Sequence, residues 1–205
     1  MRADIVPGGT FPDYELSDHT GARRRLSELQ RSDPMVLLLA RGHFCPKDHE
    51  QHLDLAAFYS KLTVAYTQIV TISTDSILET REFRDAVGAT WTFLSDPGRK
   101  VQQDLDIQEY TDPDHDPMIP HTLVLKPRLV IHSVYNGYWF WGRPSIGDLW
   151  HDLREATCEI RPDWDLATHG LRAAWEAGDR TRFYSDPDLE PSLMGAHASD
   201  GRASV

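Results

Sequence analysis

Residues 35–59 read MVLLLARGHFCPKDHEQHLDLAAFY. The apolar run MVLLLA (35–40) reads as a strand, and the stretch from Pro46 to about Tyr66 reads as an amphipathic helix. Pro46 suits a first helical position, where its missing N–H has no partner to lose. Cys45 therefore sits at a strand-to-helix junction. Free N–H groups and the positive end of the helix dipole favour a thiolate there, and Arg41 is near enough in sequence to add to the effect. The competing reading is a buried, unreactive thiol.

The same alternation continues on both sides. Strands are expected at about 68–73 (QIVTIS), 122–126 (TLVLK) and 129–135 (LVIHSVY), the last two joined by a hairpin turn at Pro127-Arg128. Helices are expected from Ile77 to about Val87, with Asp75 or Ser76 as cap, and from Ser145 to about Ala156. The order β, long helix, β, helix, β-hairpin, helix predicts an α/β, thioredoxin-like fold: a central mixed sheet flanked by helices, preceded by a segment able to add a hairpin. This domain is expected over residues 1–160. A C-terminal helical extension (161–185) follows, with Leu171, Ala174 and Trp175 at helical spacing. The Ser-, Asp-, Pro- and Gly-rich residues 186–205 are expected to form a mobile tail.

The 205 residues carry 21 Lys+Arg against 32 Asp+Glu, a formal charge of −11 that disfavours nucleic acid and anionic membranes as partners. No apolar run approaches the roughly 20 residues of a membrane helix, and the first residues lack a secretory pattern, so the expected compartment is the cytoplasm. Two cysteines, Cys45 and Cys158, are too few for a disulfide framework.

The segments GGTFPDYELSDHTGARRRLSEL, RGHFCPKDHEQ, VTISTDS, TFLSDPGRKVQQDLDI and IPHTLVLKP succeed one another as they do in the peroxiredoxin-like (alkyl hydroperoxide reductase/thiol-specific antioxidant) family, which this chain resembles over about residues 8–156. The resemblance implies a hydroperoxide-reducing thiol oxidoreductase that needs no cofactor and takes a hydroperoxide and an external thiol reductant as partners. Cys45 stands at the position of the peroxidatic cysteine, whose thiolate becomes a sulfenic acid. Leu38 and Gly42 stand where the family has a proline and a Thr or Ser. Pro120 replaces the family arginine and is expected in cis, facing Cys45 as in thioredoxins. Asp48 occupies the place of the second cysteine of the CPxC branch. It either mimics an acid that some peroxiredoxins carry there or is simply a first-turn acid on the helix dipole. Cys158 resembles, by placement, a C-terminal resolving cysteine; its alternative is an incidental thiol.

A second reading rests on histidines. Cys45, His49 and His52 share a helix face, His43 lies just upstream, and His121 follows Pro120. Cys45, His49 and His121 offer a sulfur and two imidazoles to Zn²⁺ or copper. The C-x-x-x-H spacing resembles, with His for the second Cys, the copper site of thioredoxin-fold copper-delivery proteins. A third reading is a binding module with a vestigial site. The acidic loop 111–117 (TDPDHDP) reads as a solvated lid, because it lacks the ligand spacing of a calcium loop. The aromatic run Tyr138–Trp141 and the C-terminal helix offer apolar surface for a homodimer.

Overall fold

The computed structural model describes residues 1–138, 142–165 and 168–179. Seven strands, β1 (Glu15–Asp18), β2 (Arg23–Arg25), β3 (Met35–Leu39), β4 (Gln68–Ser73), β5 (Thr92–Ser95), β6 (His121–Lys126) and β7 (Val130–Asn136), form one mixed sheet in the order β2-β1-β5-β4-β3-β6-β7. β3 pairs in parallel with β4 and antiparallel with β6, which makes it the inner strand from which the Cys45 loop departs. Every residue of β3 is buried. An unbroken apolar run is what a strand covered on both faces requires.

Alternation along the strands divides the core. Leu37, Leu39, Leu123 and Leu125 face one side with Phe11, Leu26, Val101 and Ile107, contributed by the N-terminal segment, α1 (Leu26–Gln30), α4 (Lys100–Asp104) and the turn after it. Val36, Leu38 and Val124 face the other, under α2 (Pro46–Val64), α3 (Ile77–Ala86) and α5 (Ile146–Ile160), with Leu55, Phe83, Leu149 and Leu153. The expected mixed sheet between helices is thus present.

Several expected devices occur. Ser76 caps α3 in a reciprocal box with Glu79, and Ser145 exchanges hydrogen bonds with Asp148 at the start of α5. The β6–β7 turn has positive φ at Arg128 (66°) and Leu129 (58°), as a tight hairpin requires of its two central residues. The N-terminal hairpin is β1–β2. Strand β5 and the short α1 and α4 escape periodicity, because four or five residues are too few to establish one.

The chain divides into a unit spanning Met1–Ile160 and a second beginning at Arg161. Within the second, α6 (His169–Glu176) is capped by the Thr168 hydroxyl, which accepts from Leu171 N at 3.2 Å. Leu171 and Ala174 are buried and Trp175 is exposed. Residues 139–141 of the aromatic run and the tail 186–205 lie outside the described residues.

Candidate active site

The loop Arg41–Phe44 leaves β3 and delivers Cys45 to the N-cap of α2. Its backbone is held at Arg41, Gly42 and His43. Asp48, in the first turn of α2 and 1% exposed, accepts hydrogen bonds from Arg41 N (2.7 Å) and Gly42 N (3.2 Å). Asp75, at the end of β4, accepts from His43 N (2.9 Å), and the His49 ring donates from Nε2 to the His43 carbonyl (2.7 Å). Gly42 has φ +132°, and a Cβ there would lie 2.6 Å from Asp75 Oδ1. This explains why glycine replaces Thr or Ser at position 42: Asp75, paired with the His43 ring at 2.8 Å, occupies the space a side chain would need.

Cys45 is 3% exposed, and its sulfur lies between two guanidinium groups. Arg41 Nη1 is 3.7 Å from Sγ and Arg143 Nη2 is 3.9 Å from it. Arg143, in the loop before α5, is absent from the sequence-based set. It reaches the site because the buried Asp48 carboxylate binds its Nε (3.1 Å) and, in a shorter contact, its Nη2. Nothing in the local pattern GRPS marks this arginine, whose partner stands 95 positions away. Asp48 is therefore more than a dipole acid: one carboxylate fixes the loop and aims a cation at the sulfur.

Arg41 is anchored from the acidic loop. Glu109 takes its Nε and Nη2 at 2.7 and 2.9 Å, and Asp112 takes Nη2 at 3.0 Å. The Phe44 ring lies 5.2 Å under the Arg41 guanidinium and stacks on His115 at 3.7 Å. The segment 109–115 thus packs against the cysteine loop, with Asp112 bound to Arg41 rather than solvated.

Three expected site assignments need correction. Pro120 is not in cis, since every peptide bond among the described residues is trans. It is buried and packs against Gly137, whose N–H donates to the Pro120 carbonyl at 2.7 Å.

The ligand set Cys45, His49 and His121 does not converge either; among the described residues, the metal-capable groups are His43/Asp75/Glu79 and His132/Asp152/Glu155. Strand alternation is the reason. His121 pairs with Leu39 and shares its side of the sheet, whereas its neighbour Thr122 faces α2 and accepts from Gln51 at 2.9 Å. His49 is engaged by the His43 carbonyl and Phe83. His52 is fully buried: its Nδ1 donates to the Asp48 carbonyl (2.7 Å), and its Nε2 accepts from Thr71 Oγ1 (3.0 Å), which in turn accepts from Trp91 Nε1 (3.1 Å). Burial lowers the pKa of His52 to about 4 despite the adjacent Asp48. Burial likewise lowers His121 to about 4, with Nδ1 donating to the Ile119 carbonyl (2.8 Å) and Nε2 buried without a partner among the described residues.

Cys158 is exposed near the C-terminal end of α5, in a groove lined by Phe58, Leu62, Ala65, Trp150 and Leu153. Arg143 and Ile146 at the start of α5 lie beside Lys47 and Gln51, whereas Cys158 lies beside Ala65 and Thr67. The two helices run side by side in the same direction, so Cys45 and Cys158 are near opposite ends of α2, a helix about 28 Å long. A disulfide needs Cα atoms within about 7 Å. This geometry does not provide a resolving partner within the chain.

The AhpC/TSA family matches residues 7–134. Two curated sequences assigned as peroxiredoxins, from the CDC 1551 / Oshkosh and H37Rv strains of Mycobacterium tuberculosis, are each 34% identical over 92 residues, covering 43% of this chain and 58% of theirs. The match thus spans little more than half of those relatives' length. Among solved structures, the peroxidoxin BcpB of Mycobacterium tuberculosis superposes with a TM-score of 0.61 at 21% identity, covering 77% of this chain and 97% of its own. A C45S mutant of peroxiredoxin 6 from Arenicola marina gives 0.66 at 11% identity, covering 77% and 76%. The bacterioferritin comigratory protein of Xanthomonas campestris gives 0.59 at 17% identity, covering 78% and 99%. At these identities the structural likeness establishes the peroxiredoxin fold, while the family match extends over more than half of the sequence. The chain belongs to the AhpC/TSA family.

Proposed function

We propose that this protein is a thiol oxidoreductase that reduces hydroperoxides through Cys45. The observation that carries the reading is a sulfur at a helix N-terminus between two guanidinium groups, at 3.7 and 3.9 Å. Cations at that range stabilise negative charge on the attacking sulfur and on the departing peroxide oxygen. The thiolate attacks one peroxide oxygen and the O–O bond breaks. The sulfur is oxidised to a sulfenic acid, and the departing alkoxide takes a proton from solvent to become an alcohol. One equivalent of external thiol then condenses with the sulfenic acid, releasing water, and a second reduces the mixed disulfide to restore Cys45.

The roles follow from the contacts. Arg41 and Arg143 stabilise charge; Asp48 positions Arg143 and the loop. The loss of the family's Thr and arginine at positions 42 and 120 is offset by these two cations. Pro120 serves the fold, and Cys158 stands outside the first oxidation step. A reducing cytoplasm suits the chemistry, since it supplies the thiol reductant. No helix among the described residues is long and apolar enough to cross a membrane. A homodimer also belongs to the proposal, supported by the exposed Trp150 beside the apolar groove. Light scattering at the 23.4 kDa chain mass would reject it.

The test of the activity is trapping. Reduced protein treated with one equivalent of hydrogen peroxide in the presence of dimedone should carry the adduct on Cys45, and Cys45→Ser should abolish peroxide consumption. An adduct on Cys158 alone, or turnover by Cys45→Ser, would refute the assignment.

A further inference from the structure

The cluster His132, Asp152 and Glu155 takes no part in the chemistry at Cys45. It lies between β7 and α5, and its ligand atoms all fall within 4.8 Å of one another. Two features show that the cluster is built rather than incidental. The first is a β-bulge. Val124 pairs with Ser133 and Leu125 with Ile131, so His132 is the extra residue in β7. A bulge re-aims the side chain it inserts. Here it leaves His132 and Ser133 both on the α5 side, so that the imidazole and a hydroxyl bound to Asp152 face the same helix. The ring is only 12% exposed, yet it makes no hydrogen bond among the described residues; its nearest carboxylate oxygens, on Glu155 and Glu159, are 3.7 and 3.9 Å away.

The second feature is Asp152. It sits in the buried stripe of α5 with Leu149, Leu153 and Ala156. Ser133 Oγ and, at 2.7 Å, Tyr135 OH both donate to one oxygen, Oδ2. A carboxylate oriented on one oxygen by neighbouring hydroxyls, with the other left over, is the usual support of a metal-ligating acid. Ligands on a tetrahedral Zn²⁺ at the usual bond lengths stand about 3.3 Å apart. The 3.7 Å between His132 Nε2 and the Glu155 carboxylate is near that value.

We propose that His132, Asp152 and Glu155, with water in the fourth position, form a Zn²⁺ site that ties the β7 bulge to α5. One imidazole and two carboxylates match the N and O ligands zinc accepts, leaving a position for water. Three acids, Asp152, Glu155 and Glu159, surround the site against the single ammonium of Lys126, which pairs with Glu159 at 2.5 Å. The excess negative charge favours a dication. The site is independent of Cys45, so it stands whether or not the protein reduces peroxides.

The full chain, purified without a histidine tag and stripped with a chelator, should be titrated with Zn²⁺ against a chromophoric competitor. One equivalent should bind, with unchanged affinity in Cys45→Ser. Glu155→Gln, an exposed substitution that cannot perturb the core, and His132→Gln should each weaken binding at least tenfold. Tyr135→Phe, which leaves every ligand in place, should weaken it about tenfold through the orientation of Asp152. Absence of competitive binding at micromolar Zn²⁺ would overturn the proposal. So would a bound equivalent that Glu155→Gln leaves intact, or one that Cys45→Ser removes.

Discussion

Replacing Arg143 by glutamine tests how the site activates Cys45. Glutamine retains a donor for Asp48 but removes a positive charge 3.9 Å from the sulfur. Coulomb's law with an effective dielectric of 20 assigns such a pair about 4 kcal/mol. Asp48, itself bound to Arg143, cancels part of that field. About 2.7 kcal/mol should survive, equivalent to a roughly 10²-fold slower reaction with peroxide. The assay is the second-order rate constant for reduced protein and hydrogen peroxide, from single-turnover mixing at pH 7. Breaking a buried ion pair usually costs about 3–5 kcal/mol of stability. Circular dichroism and urea unfolding should therefore accompany the kinetics, so that only folded protein is compared. Arg143→Lys retains the charge without the forked geometry and should recover part of the rate. If folded Arg143→Gln and Arg41→Gln both react within twofold of wild type, the two guanidinium groups do not activate the sulfur and the reasoning fails.

Acid should destabilise the fold through His52 and His121. Both have folded pKa values lowered to about 4, below an unfolded value near 6.5, so the unfolded chain binds more protons between those limits. Their contribution is complete above pH 6.5 and declines as pH falls toward 4, by about 3 kcal/mol for each group. Urea midpoints from pH 8 to 4 measure it, and His52→Gln should flatten the profile; a midpoint constant to pH 4.5 would contradict the burial argument. Gly42→Ala should destabilise the cysteine loop by about 1–3 kcal/mol, because position 42 has φ +132° and the new Cβ would meet Asp75. An unchanged urea midpoint would show that the loop adjusts freely. Cys158→Ser should leave the rate of Cys45 oxidation unchanged, and peroxide should generate no Cys45–Cys158 bond within a chain. Non-reducing peptide mapping that finds this bond in monomeric protein would contradict the helix geometry.

The local signals that sequence carries well are periodicity, caps and breakers. They were sufficient for β3, β4, the β6–β7 hairpin, α2, α3 and α5, and for the placement of Cys45 behind Pro46, because each depends on neighbours within one or two turns of chain. The same signals led to errors where a decision belonged to the sheet. Helical spacing grouped Cys45 with His49 and His52, and proximity to Pro120 suggested His121. Only strand register shows that His121 shares Leu39's side of the sheet, away from α2. Sequence placed Asp48 on the first turn of α2 but left its role open, since its partner Arg143 is 95 residues distant. Asp75 explains Gly42 only once β4 lies alongside β3. The bulge that sets His132 and Ser133 on the same side, toward α5, is likewise a property of two strands in register, not of either one. The sequence by itself determined the order of elements, the thiol at a helix N-terminus and Arg41 beside it. Tertiary structure alone decided which distant charges meet that thiol, because contacts across 68 to 98 residues arise from packing and leave no local pattern to read.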